Sequence, residues 1–120
     1  MYLLAVVDCL VVAVRTRIIR PPESLSAIKA SRVTLECGVE RDPSIDVVWR
    51  WFVGNSEVTS SSDPRMSVNA ADGSLTIRSV RNTDVGSYTC YVVSVAGNDS
   101  AVAELEVIGI LVLYFCLYSL

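Results

Sequence analysis

This chain predicts an all-β sandwich of two antiparallel sheets, on three observations. Between Ile18 and Val107, apolar residues recur at every second position in short runs, the pattern of half-buried strands. Turn residues separate the runs at regular intervals, and the middle holds no helical apolar spacing beyond one turn. Cys37 and Cys90, 53 residues apart, each fall on the apolar phase of a run, where a pair can bridge two facing sheets. Such a bridge destabilises the unfolded chain by about 3–4 kcal/mol of loop entropy.

The elements follow in order. Pro21-Pro22 is expected to start the first strand, because missing N–H donors are tolerated only at an edge or bend. Val33, Leu35 and Cys37 form the inward phase of the next strand, and Val47, Trp49 and Trp51 that of another. Leu75 and Ile77 mark a short strand after Met66–Val68. Tyr88, Cys90 and Val92 mark the penultimate strand, and Ala103, Leu105 and Val107 the last. The turns are Asp42-Pro43-Ser44, Gly54-Asn55, Asp72-Gly73 and Ala96-Gly97-Asn98.

Composition narrows the function. Hydrophobic residues make up 52% of the 120, but the excess lies at the ends. Residues 1–14 are apolar except for Asp8, and residues 107–120 except for Gly109 and Ser119. Ten basic against thirteen acidic residues give a net charge of −3, with no basic stripe to neutralise a phosphate backbone, so nucleic acid is not an expected partner. The chain has no histidine, which removes the commonest general base and most zinc sites. No nucleophile and base stand as a pair. The chain is therefore read as a non-enzyme with no cofactor and no metal.

Three segments are expected: residues 1–17, a domain over 18–107, and an apolar tail over 108–120. Met1–Val14 supports two readings, a secretory signal or the tail of a preceding domain's last strand. Val11 and Ala13 suit a cleavage site, whereas Asp8 and the lack of a leading positive charge oppose one. Val107–Leu120 is shorter than the roughly 20 residues of a spanning helix. It reads as a truncated transmembrane segment or a gene-model artefact, and membrane association through the apolar ends stays open. Cys9 and Cys116 lie within these ends and read there as apolar residues.

Trp51-Phe52-Val53-Gly54-Asn55 follows the first cysteine, and Asp84-Val85-Gly86-Ser87-Tyr88-Thr89-Cys90 closes on the second. Tyr88, two residues before Cys90, is placed for a tyrosine corner. This constellation resembles an immunoglobulin domain over about residues 18–107. The resemblance implies a Cys37–Cys90 disulfide, Trp51 packed on it, and Trp49 at the sheet's end above the Asp42-Pro43-Ser44 loop. It also implies an Arg65–Asp84 salt bridge across the bottom of the sandwich. The short interval from Trp51 to Cys90 resembles the I-set rather than the variable type, which inserts two further strands there.

At finer grain, Thr16–Glu23, Ser31–Cys37 and Asp42-Pro43-Ser44-Ile45 resemble neural adhesion molecules of the neuroglian and neurofascin type, with contactin-like and sidekick-like proteins close alternatives. The chain departs from them at Lys29-Ala30-Ser31, where the family usually has a glycine.

Two surface features bear on function. Asn98-Asp99-Ser100 is an N-glycosylation acceptor, read as lying in the exposed hairpin before the last strand; Asn98 also suits a left-handed turn there. Val48, Arg50, Phe52, Tyr91, Val93, Val102 and Glu104 share the outward phase of neighbouring strands. That mixture suits a contact with another protein, or Phe52 and Tyr91 simply stabilise the sheet as neighbours. The resemblance implies an extracellular or secreted recognition module of cell adhesion or of a receptor ectodomain, part of a larger protein, with homophilic or heterophilic ectodomain partners. The alternatives are a structural module of an intracellular muscle-type protein and an immune-receptor variable domain.

Overall fold

The computed structural model describes residues 15–59 and 61–109, and every structural statement below concerns them. The expectations for residues 1–14 and for the tail beyond Gly109 lie outside the described residues. Ten strands build two layers: β1 (Arg17–Arg20), β2 (Leu25–Ile28), β3 (Val33–Leu35), β4 (Gly38–Glu40), β5 (Val48–Val53), β6 (Ser56–Glu57), β7 (Met66–Val68), β8 (Leu75–Ile77), β9 (Gly86–Ser94) and β10 (Gly97–Ile108). One 3₁₀ turn, Asn82–Asp84, precedes β9.

One layer holds the ladder β3-β8-β7 and the pair β1-β4, with β3 and β4 successive in the chain and interrupted at Glu36-Cys37. The other is a five-stranded sheet in the order β2-β10-β9-β5-β6. All pairings are antiparallel except that of β2 with β10, the first and last strands of their sheet. Period-two alternation turns one set of side chains into the space between the layers. Trp51, Leu75, Ile77, Tyr88, Cys90 and Val92 have no exposed surface, and Leu35, Cys37, Val80 and Leu105 nearly none. At about 25 cal/mol per Å² of apolar surface removed from water, this shared interior is the main force holding the layers together.

The structure corrects three expectations. Pro21-Pro22 does not start the first strand; it separates β1 from β2. With no N–H to donate, the prolines end pairing with β4 and let the chain cross to the other layer, where β2 lies beside β10. Ordered structure also passes the expected 18–107 limits. Thr16 is buried and hydrogen-bonded to Ser94, Arg17 pairs with Glu40, and β10 continues to Ile108. Finally, Asn98 is not a turn residue. The hairpin turns on Val95-Ala96, with Ser94 opposite Gly97, so Asn98 is already in β10 opposite Val93. Gly97, at φ 135°, adopts the unusual backbone conformation instead.

Candidate functional site

The site rests on a pinned interior. Cys37 and Cys90 form a disulfide joining the two layers. Trp51 stands opposite Cys90 in the sheet register and donates its indole N–H to the Gly73 carbonyl at 2.8 Å. Trp49, on the same phase, is only half-buried and donates to the Cys37 carbonyl at 3.1 Å, with the Arg41 guanidinium over its ring. A side chain at Gly73 would run into that indole, so glycine is required there.

At the opposite end, Tyr88 donates its hydroxyl to the Asp84 carbonyl oxygen at 2.6 Å. The Asp84 carboxylate accepts two bonds from Arg65, at 2.9 and 3.0 Å, and one from the Arg81 N–H. Asp63 adds a second carboxylate to the same guanidinium. Burial alone would push the Asp84 carboxyl up, but the bonds from Arg65 and Arg81 and the Arg65 charge outweigh it, so its pKa lies below the ordinary 3.8. Burial, and then the Asp84 charge, push the Tyr88 phenol up to about 12. The hydrogen bond from Arg65 to Asp84 raises the guanidinium's pKa further above its ordinary value.

This interior fixes the outer face of the five-stranded sheet, because each inward residue forces its neighbours outward. The register sets Val48 opposite Val93 and Val93 opposite Asn98. The next row is Arg50, Tyr91 and Ser100. Below it run Glu57, Phe52, Thr89 and Val102, then Ser87 with Glu104. All seven candidate contact residues therefore share one face. Val48 and Val102 are more than half exposed, whereas Phe52, Tyr91 and Val93 are half-buried against their neighbours.

Sequence reasoning missed several members of this face, among them Glu57, Thr89, Ser87, Glu106 and Ile28. Period two carried past Glu104 finds Glu106, and Thr89 lies on the phase of Tyr91. Glu57 carries no signal of its own, because β6 is only two residues long. The face carries three carboxylates, Glu57, Glu104 and Glu106, and one guanidinium, Arg50, which lies 3.6 Å from Glu57. Across the sandwich the balance reverses, with Arg17, Arg20, Arg32 and Arg78 on the outward phase against Glu36 and Glu40. Among the described residues no cluster of His, Cys, Asp or Glu could hold a metal, and no helix is long and apolar enough to cross a membrane.

The model of the immunoglobulin I-set domain matches residues 16–107. Human protein sidekick-1 is 44% identical over 94 residues, covering 78% of this chain and 4% of that protein. Rat contactin-1 is 34% identical over 106 residues, covering 83% of this chain and 10% of that protein. The chain thus spans a small fraction of these curated relatives, and they are the contactin-like and sidekick-like neighbours of the adhesion-molecule resemblance. Among solved structures, the I-band fragment I67–I69 of titin superposes with a TM-score of 0.68 at 27% identity, covering 79% of this chain and 33% of that one.

Proposed function

The chain belongs to the immunoglobulin I-set family, and from that premise we propose that it is an extracellular recognition module of a larger adhesion protein, working through the outer face of its five-stranded sheet. The carrying observation is that face itself. Val48, Phe52, Tyr91, Val93 and Val102 lie together on one sheet face around Tyr91, interleaved with Arg50 and Thr89 and bordered by carboxylates, a mixture that suits a protein contact. The partner is another protein ectodomain whose contact surface is net basic, because the face carries three carboxylates and one guanidinium. A second copy of this chain offers such a surface on its opposite sheet, which is the homophilic case. The sidekick and contactin relatives and the inter-layer disulfide support an adhesion role on the oxidising side of the membrane.

The test is a bead-aggregation assay with the chain displayed multivalently, alone and against neuronal ectodomains. Tyr91→Glu, verified as folded by its thermal transition, is expected to abolish capture. Capture unchanged in that folded variant sinks the contact-face reading. The likeness to titin keeps an intracellular structural module as the second reading. Mobility on a non-reducing gel, taken from the native source, separates the two, since a reduced Cys37–Cys90 pair there favours the intracellular reading.

A further inference from the structure

Asn98 and Ser100 lie two residues apart on β10, so both turn to the same side as Val102 and Glu104. Both are exposed, and among the described residues neither side chain is engaged in a hydrogen bond. Asp99, between them, faces the other way and accepts the Ile18 and Ser100 N–H groups, which leaves the Asn98 amide clear. The acceptor sequence is therefore presented on the contact face itself, in the row of Val93 and Val48.

We propose that Asn98 carries an N-linked glycan and that this glycan divides the contact face, covering its hairpin end and confining partners to the Phe52–Val102 end. The inference rests on the contact-face reading. In the modification, the Asn98 Nδ2 bonds to the anomeric carbon of a lipid-pyrophosphate-linked oligosaccharide. The carbon–oxygen bond to the pyrophosphate breaks, the lipid pyrophosphate leaves with the electron pair, and the amide proton passes to a base of the transferase. Val93 lies one strand away, about 5 Å, and Val48 two strands away, about 10 Å. Val102, four residues along β10, is about 13 Å from the attachment point. The innermost sugars thus lie over Val93, Val48 and the upper edge of Tyr91, and leave Phe52, Val102 and Glu104 open.

The full chain is expressed in mammalian cells behind a cleavable secretion leader, as wild type, N98Q and S100A. Wild type is expected to show a mobility shift removed by peptide-N-glycosidase and absent from both variants. Hydroxyl-radical footprinting is expected to label Val48 and Val93 several-fold more in N98Q than in wild type, with Phe52 and Val102 unchanged. A wild-type chain without the shift, or equal labelling of Val48 and Val93, overturns the proposal. The contact-face reading fails separately, if folded Val102→Glu captures partners as well as wild type while the shift and footprint stand.

Discussion

Ala30 has a φ of 73°, the left-handed conformation that glycine adopts without a clash, and it occupies the third position of a turn closed by the Ser31 N–H on the Ile28 carbonyl. An L-residue there stores about 1 kcal/mol of strain. Ala30→Gly is therefore expected to raise stability, by about 0.5 kcal/mol once the greater freedom of unfolded glycine is subtracted, as read from the denaturant midpoint. That departure was legible as a missing glycine between Lys29 and Ser31; the conformation behind it was not, because φ depends on the turn's closure. Asp84 is the buried carboxylate among the described residues. Its folded pKa lies below the ordinary 3.8, so its contribution is present above that value and lost as pH falls through the folded pKa. Thermal scans should show stability dropping below about pH 4, with a shallower drop in Asp84→Asn, which at neutral pH costs about 3 kcal/mol by leaving Arg65 without its main partner.

At the scale of elements, alternation told inward from outward residues, because a half-buried strand leaves no other solution. It identified Val48, Arg50 and Phe52 as facing one way and Trp49 and Trp51 the other. Register was not legible. Ala96-Gly97-Asn98 looks like a turn by composition, but Ser94 pairs with Gly97 and its hydroxyl accepts the Ala96 N–H, moving the turn one residue earlier. Partner choice was hidden too. Pro21-Pro22 marks an interruption, but nothing local says that β1 pairs with β4 before it and β2 with β10 after it. β1 is a short strand held at its start by the Asp99 carboxylate on the Ile18 N–H and by Thr16 on Ser94. Asp99→Ala is expected to cost about 1.5 kcal/mol. Amide exchange should quicken along Arg17–Arg20 and stay slow at Trp51 and Cys90.

For the whole molecule, the disulfide and the shared interior act together. Replacing Cys37 and Cys90 with alanine is expected to lower unfolding free energy by about 4 kcal/mol, a large part of the 5–15 kcal/mol typical of a domain. A urea titration of the double variant checks this, and an unshifted midpoint would show that the bridge constrains little. The candidate face was legible as a set of residues but not as an electrostatic object. Its acidic border gathers Glu57 from β6 with Glu104 and Glu106 from β10, strands far apart in the chain that only the register brings onto one sheet.

The parallel pairing of β2 with β10 has a mechanical consequence. Tension applied through the two ends of the domain draws β2 toward its start and β10 toward its finish, in opposite senses along their common axis. The ladder from Leu25–Ile28 to Leu105–Ile108 is then loaded in shear, so its hydrogen bonds share the pull instead of opening one by one. Resistance to such a pull is a matter of rate rather than of equilibrium stability. In the proposed adhesion role, where a module is pulled at both ends, the load falls on the same two strands that close the sandwich.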